Sequence, residues 1–193
     1  MARRKRGATD RRVRKTDARL HDALMSLIHD KSYDSIAVRD ILDRADVGRS
    51  TFYAHFRDKD DLLTSGIYQV LQSIRSTAAA SDPFAWFSLP IFEHIHRHRL
   101  EGKAAPVEGR SVIHSRLQHT IEELITDDII RRFARRRGGL IPTELAVKHV
   151  ASTFILVLNW WLDVAGTRTP RDADALFRAL VIPVFAVSPH HPC

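Results

Sequence analysis

Residues 46–62 read DVGRSTFYAHFRDKDDL, a turn with one glycine followed by a short segment rich in aromatic rings. Phe52 and Phe56 are four residues apart, so on a helix they share one face and can pack against a core. Tyr53 and His55 lie on other faces, and a helix that only had to fold would not need them. The stretch therefore predicts a short helix with one buried face and one face available to a partner.

The flanking segments are also helical in pattern. Apolar residues at helical spacing predict a first helix over about residues 16–29, which could also begin earlier, at Thr9 or Asp10. A two-turn helix then precedes residues 47–48, where we expect the glycine to make the turn because it tolerates a positive φ. Another helix is predicted over about residues 59–78. Two short helices joined by a tight turn form a helix-turn-helix, whose second helix enters the major groove of DNA.

The start of the second short helix carries side chains suited to reading DNA. Arg49 can donate a bidentate hydrogen bond to guanine, and Tyr53 offers a ring to thymine methyl groups and a hydroxyl to phosphate. His55 and Lys59 lie further along, where phosphates flank the groove. A helix buried on both sides is the alternative explanation of the aromatic cluster. The full set of predicted DNA contacts is Arg39, Arg49, Ser50, Thr51, Tyr53, His55 and Lys59.

The positive charge is concentrated at the N-terminus. The chain carries a formal net charge of +7, and residues 1–15 contain eight Lys or Arg and one Asp, which is also +7. Residues 16–65 contain seven basic and ten acidic residues, a net −3. Residues 1–15 therefore read as a flexible basic arm that tethers the protein to a polyanion, or as a solubilising tail.

The segment YDSIAVRDILDRADVGRSTFYAHFRDKDDLL closely resembles the DNA-binding module of the tetracycline-repressor (TetR) family of bacterial transcription regulators. The resemblance is dense over about residues 16–63 and implies DNA contacts at the following positions: Arg49, Ser50, Thr51, Tyr53, His55 and Lys59. It also implies a C-terminal half that dimerises and encloses a ligand pocket. Ala37 departs from the family pattern, which usually has Thr or Ser there to cap the first short helix and contact a phosphate.

The fold class is all-α, an N-terminal three-helix helix-turn-helix module followed by a C-terminal helical domain. AAASDPFAW, from residue 78, marks the expected boundary between the two modules, and helices are predicted beyond it at about 84–98, 110–137, 143–165 and 171–186. Thr169 is the expected cap of the last helix, with Pro170 in its first turn. The expected organisation is an arm (1–15), a DNA-binding domain (16–63), a regulatory and dimerisation domain (64–187) and a tail (188–193).

The segment VASTFILVLNWWL, residues 150–162, is apolar at nearly every angle of a helix, so it must be buried on all sides. A second copy of the chain would supply the missing cover, because two helices from each subunit can form a four-helix bundle about a two-fold axis. The resemblance implies the same interface. The residues predicted to line it are Leu156, Val157, Trp160, Leu176, Leu180 and Val184.

A ligand pocket needs aromatic walls and a few polar groups. The candidates are Phe84, Trp86, Phe87, His94, Asn159, Trp160 and Trp161, with packing of the core and interface as the competing explanation. His94 and His98 have the spacing of zinc ligands, but structural or solvent-facing histidines are favoured because no cysteine lies nearby. No metal and no cofactor is predicted.

The sequence predicts a repressor that binds a palindromic operator as a homodimer, responds to an unidentified small molecule and is cytoplasmic. Regulation by a protein partner, or without any small ligand, is the main alternative. An enzyme is a remote one, because the phosphate-binding loop, zincin motif, nucleophile elbow and Cys-His pair are all missing. The lone cysteine, Cys193, excludes an internal disulfide. The apolar run at 150–158 is too short to span a bilayer, and no signal peptide is expected.

Overall fold

The computed structural model describes residues 2–77, 85–101, 110–134, 141–164 and 168–186, with side chains described in these ranges except at 2–12, 132–134 and 186. The described residues form helices and turns without strands, which confirms the all-α class. The helices are α1 (Ala2–Asp30), α2 (Val38–Ala45), α3 (Arg49–His55), α4 (Lys59–Thr77), α5 (Ser88–Leu100), α6 (Arg110–Ala134), α7 (Thr143–Asp163) and α8 (Pro170–Ala186), with a single 3₁₀ turn at Tyr33–Ser35.

The chain divides into two compact units. Of the described residues, the first unit contains 2–67 and 110–113, and the second contains the others. Because Val112 and Ile113 at the start of α6 pack against the core of the first unit, that unit includes residues from outside the predicted 16–63 segment.

The core of the first unit collects the apolar faces of α1 to α4. Its fully buried members include Leu20, Leu24, Ile41, Phe52 and Leu62. Three ion pairs join α1 and its end to α2 and the turn after it: Lys31 with Asp40 at 2.6 Å, Arg44 with Asp30 at 2.8 Å, and Arg19 with Asp46 at 3.2 Å. All are partly or well exposed, so apolar burial contributes most of the stability and the pairs contribute little each.

The turn between α2 and α3 differs from the expectation. Asp46 takes the left-handed conformation, with φ 50° and ψ 53°, whereas Gly48 is extended, with φ −69° and ψ 149°. Aspartate tolerates this conformation better than most residues, and the Arg19 guanidinium holds it by donating to the Asp46 carbonyl at 3.1 Å. Gly48 is instead the N-cap residue of α3, and its carbonyl accepts from the Phe52 amide at 3.1 Å.

The first helix begins much earlier than residue 16. Helix α1 starts at Ala2, so the residues expected to form a flexible arm lie in the helix. Arg, Lys and Ala are strong helix formers, and they outnumber the weak helix formers among residues 2–15, which are Gly7, Thr9, Asp10 and Val13. The concentration of positive charge led to the prediction of a flexible tether, although the same residues favour a helix.

The second unit packs α7 and α5 against α8. Helix α8 begins as predicted, since the Asp172 amide donates to Thr169 Oγ1 at 3.2 Å and the Thr169 amide donates to Asp172 Oδ2 at 2.8 Å. This reciprocal pair is a capping box. Helix α7 is long and apolar enough to cross a membrane by length and composition, but half of its most apolar window is buried inside the protein, as in the core helix of a soluble domain.

Candidate DNA-binding site

Helix α3 presents two chemically different faces. Phe52 is fully buried and Phe56 nearly so, and their ring centroids lie 6.0 Å apart on the core side. Arg49, Ser50 and Thr51 are exposed, and 49% of Tyr53 is exposed. The turn before α3 and the burial of the two phenylalanines fix the helix, so the polar face points away from the core of the first unit.

Arg49 and Tyr53 share this exposed face. The Arg49 guanidinium carbon lies 5.6 Å from the centroid of the Tyr53 ring, a cation–π contact between residues four apart. The Tyr53 ring also meets the buried Phe52 ring edge-on, at 5.2 Å between centroids. The two predicted base-reading side chains are therefore ordered by each other and by the core beneath them.

His55, at the end of α3, contacts the first helix. Its Nδ1 lies 2.6 Å from Oδ1 of Asp17, and the two side chains are 15% and 23% exposed. Asp17 was not among the predicted site residues, since 38 positions of sequence separate it from His55. No motif in the sequence connects the two, so only the packing of α1 on α3 brings them together.

The ammonium group of Lys59 makes its hydrogen bonds within the helix-turn-helix module. It donates to the carbonyl oxygens of Tyr33 at 2.9 Å, Ile36 at 2.8 Å and Asp34 at 3.4 Å, and lies 4.6 Å from the Tyr33 ring centroid. An ammonium has three N–H donors, and these three contacts occupy them. Lys59 thus stabilises the 3₁₀ turn, and its contact with DNA phosphate stays a prediction.

The start of α2 carries the remaining predicted contact. Arg39 is highly exposed and pairs only loosely with Asp43, at 3.7 Å. Ala37 occupies the N-cap position and has no side-chain acceptor, but its amide donates to Asp40 Oδ2 at 2.9 Å. Half of a capping box is therefore present, and no side-chain hydrogen bond at the N-cap supplies the other half. The hydrogen bond from Lys31, followed by that from the Ala37 amide, holds the pKa of Asp40 below its usual value.

The structure separates the predicted ligand-binding residues. Phe87 and Trp161 belong to a closely packed aromatic core, in which Phe87 lies 5.1 Å from Phe154 and Trp161 lies 5.4 Å from Phe92 between ring centroids. Asn159 and Trp160 are exposed on α7, and Phe84 lies outside the described residues. The six described candidates therefore do not form one wall.

Trp86 has the most informative surroundings of the seven. The Arg75 guanidinium carbon lies 5.5 Å from its ring centroid, and Arg75 also donates to Asp128 at 3.0 Å and to the Leu124 carbonyl at 2.7 Å. The indole Nε1 is buried and has no acceptor among the described residues. Arg75 and Asp128 were not predicted, because neither lies in an aromatic segment.

His94 and His98 lie next to each other on α5, with ring centroids 4.4 Å apart. Burial, and then the charges of His98 and Arg97, lower the pKa of His94, so its ring favours the neutral form. Within the described ranges, no group of three or more His, Cys, Asp or Glu side chains is arranged to hold a metal ion.

Five of the six residues predicted to form the interface are exposed or partly exposed on α7 and α8, and one is buried. Leu156, Trp160, Leu176 and Leu180 are 64%, 38%, 36% and 46% exposed, and Val184 is partly exposed. Val157 is only 2% exposed and packs inside the subunit, which corrects its assignment to the interface. We call the first four residues the apolar surface of α7 and α8.

The fold and the two faces of α3 define a helix-turn-helix regulator module. The sequence profile described as bacterial regulatory proteins, tetR family, matches residues 20–65. This match confirms the resemblance found in the sequence: residues 20–65 are similar to the bacterial regulatory proteins of the tetR family.

Solved structures support the same fold. A TetR transcriptional regulator from Streptococcus agalactiae 2603V is 24% identical, with a TM-score of 0.56 over 90% of this chain and 97% of that chain. RolR without ligand is 18% identical, with a TM-score of 0.50 over 89% of this chain and 97% of that chain. RolR in complex with resorcinol is 18% identical, with a TM-score of 0.49 over 95% of this chain and 98% of that chain. No protein of curated function matches the sequence. At these identities the first two structures show a shared fold.

Proposed function

We propose that the chain is a transcriptional repressor that binds a palindromic DNA operator as a homodimer. The observation that carries the proposal is the exposed face of α3, where Arg49, Ser50, Thr51 and Tyr53 stand over a buried phenylalanine pair. A helix of this length fits the major groove, and its first turns reach base edges. The exposed Arg39 is a phosphate contact beside the groove.

The test compares Tyr53→Ala and Arg49→Ala on a duplex selected from a random-sequence library by the wild-type protein. Tyr53→Ala removes no charge, so specific binding should weaken while binding to unrelated duplex is retained. Arg49→Ala should remove about 1–3 kcal/mol of discrimination at one symmetric base pair of each half-site. Because the two side chains touch, the double variant should lose less than the sum of the single losses. A folded Tyr53→Ala protein with unchanged affinity and specificity would refute the assignment of the helix faces.

The basic N-terminal segment supports a second kind of contact. Eight Lys or Arg within residues 1–15 can neutralise phosphates on either side of the site, and each neutralised phosphate releases counterions. Deleting residues 1–12 should weaken binding to every sequence and flatten the slope of log affinity against log salt concentration. An unchanged slope would identify the segment as a solubilising tail.

Dimerisation is supported by the apolar surface of α7 and α8. Three leucines and a tryptophan are exposed on two helices that pack against each other, and a contiguous apolar patch of such residues would be unusual on a soluble monomer. A two-fold contact would cover the same patch on both copies and hold two DNA-binding modules at a fixed spacing. Operator half-sites are therefore expected about one helical turn, or a simple multiple of it, apart.

Response to a small molecule is supported by Trp86. A buried indole N–H without an acceptor among the described residues is costly, and a ligand with a carbonyl, phenolate or carboxylate oxygen would satisfy it. We propose Trp86 as the specificity contact of the effector site. A thermal-shift screen should find stabilising ligands that carry such an acceptor, and Trp86→Phe should lose that stabilisation.

The competing function is a regulator that answers to a protein partner or to no small ligand, and a screen without any stabilising compound would favour it. An enzyme stays a remote alternative, which hydrolysis of a substrate by the pure protein, lost on replacing His94 or His114, would support. The proposed location is the cytoplasm, where a DNA-binding regulator acts.

A further inference from the structure

The contact between Asp17 and His55, the last residue of α3, determines which nitrogen of the His55 ring carries the proton. The Asp17 Oδ1 to His55 Nδ1 distance is 2.6 Å, and both side chains are mostly buried, so the pair is well shielded from water. An ionised carboxylate can only accept hydrogen bonds. The short contact therefore requires the proton of the imidazole to be on Nδ1.

This tautomer has a consequence at the other ring nitrogen. In a neutral imidazole with its proton on Nδ1, Nε2 carries a lone pair and can only accept. A DNA phosphate also only accepts, so neutral His55 and a phosphate cannot hydrogen-bond. The imidazolium form, by contrast, donates from both nitrogens, to Asp17 and to the phosphate at once.

We propose that Asp17 is a positioning residue for DNA recognition, which holds the His55 ring so that it grips a phosphate only when a second proton binds. This inference rests on the proposed DNA-binding function and deepens it. Each subunit would take up as much as one proton on binding DNA, so affinity would fall as the pH rises.

The other charged groups around this end of α3 have different contacts. Arg57 pairs with Asp61 at 3.2 Å, and Lys59 donates to backbone carbonyls behind it. His21, one turn beyond Asp17 on α1, packs edge-on against Phe56 at 5.6 Å between centroids. Among the described contacts of the His55 ring, Asp17 provides the charged one.

The first experiment measures affinity for the library-selected duplex between pH 6 and pH 8 at constant ionic strength. Wild-type affinity should fall at least about fivefold over this range, and His55→Gln should change by less than about twofold. Asp17→Asn should also flatten the profile, because an asparagine amide can donate to Nδ1 and release the proton to Nε2. Asp22→Asn, which removes the same charge from an exposed position of α1, should keep the wild-type slope.

The second experiment reads the tautomer without DNA. Nitrogen-15 chemical shifts of His55 in the free full-length protein at pH 8 should show the proton on Nδ1 in the wild type and a shift of population toward Nε2 in Asp17→Asn. A wild-type proton on Nε2, or equal pH slopes for wild type and Asp17→Asn, would overturn the inference. Failure to select any duplex would refute the proposed function instead, and the chemical shifts would still decide the positioning role of Asp17.

Discussion

Two surfaces of the molecule stay uncovered, and their chemistry is opposite. The outer face of α3 is polar and cationic, with one aromatic ring stacked under an arginine. The apolar surface of α7 and α8 carries large aliphatic side chains and a tryptophan. The helices that carry these surfaces also carry buried phenylalanines, Phe52 on α3, Phe154 on α7 and Phe177 on α8.

The difference teaches that exposure alone does not define a site. A surface of hydrogen-bond donors with a few charges matches phosphates and base edges, whereas a surface of leucines matches another apolar surface. On both surfaces the exposed side chains lie on helices whose other faces are buried, so they contribute little to the free energy of folding. Substitutions on the buried and exposed sides of the same helix should therefore separate stability from function.

The largest effect is expected at Phe52. Replacing this fully buried ring with alanine should cost about 3–5 kcal/mol in the free energy of unfolding. Tyr53→Ala, one position along on the exposed face, should cost about 1 kcal/mol or less. Urea denaturation followed by circular dichroism measures both values. Equal losses at the two positions would mean that α3 does not have the two faces described here.

Leu156→Arg tests the second surface. A guanidinium at this 64% exposed position leaves the subunit intact but puts an unpaired charge in the proposed interface, which should weaken the dimer by about 3 kcal/mol or ~100-fold. Val157→Ala is the matched control, since Val157 faces inward: about 1–2 kcal/mol of subunit stability should be lost with the dimer retained. Sedimentation equilibrium distinguishes the two results, and a dimeric Leu156→Arg protein would move the interface elsewhere.

The buried side of the first unit should also respond to acid. Burial lowers the pKa of His21, against the opposing effect of the Asp17 and Asp22 charges, and Nε2 has no partner among the described residues. The unfolded chain therefore binds this proton more readily. The stability linked to neutral His21 is complete above the unfolded value of about 6.5 and is lost as the pH falls toward the folded pKa.

The variant His21→Gln isolates this contribution. Urea denaturation of both proteins at pH 8, 7, 6 and 5 should show a smaller loss of stability on acidification for His21→Gln than for the wild type. A parallel loss in the two proteins would assign the acid sensitivity to other groups.

The smallest effect is expected at Gly48. This residue is extended, and an added Cβ would meet Thr51 Oγ1 at 4.0 Å, an ordinary contact. Gly48→Ser supplies a side-chain cap to α3 and should raise stability by about 0.2–0.5 kcal/mol. A loss of stability in thermal unfolding would show that the turn requires glycine for a reason beyond its conformation.

The sequence was most informative where local chemistry decides the structure. The spacing of Phe52 and Phe56, the Thr169 cap and the helical periodicity of α7 and α8 each depend on neighbours in the chain, and the structure agrees with them. The glycine turn was less reliable, because Asp46 can adopt a positive φ when Arg19 holds its carbonyl.

Features that depend on distant residues could not be predicted. Asp17 meets His55 only after α1 packs on α3, and Lys59 reaches the Tyr33 carbonyl only once the 3₁₀ turn has formed. Val157 shows a related limit. In a helix that is apolar all round, the sequence cannot tell the inner from the outer side, and only the packing of α7 against α8 separates Val157 from Leu156.

The consecutive tryptophans of α7 give the molecule its own optical probes. Trp161 is 2% exposed and its indole N–H donates to the Arg168 carbonyl at 3.0 Å, whereas 38% of Trp160 is exposed. Their fluorescence should therefore differ in colour and in quenching by iodide, with Trp161 emitting to the blue of Trp160. In a Trp160→Phe protein the red, quenchable component should disappear, and the remaining signal would come from Trp161 and from Trp86 beneath Arg75. Because the proposed dimer would cover Trp160, association of wild-type subunits should reduce this quenching and could be followed without a label.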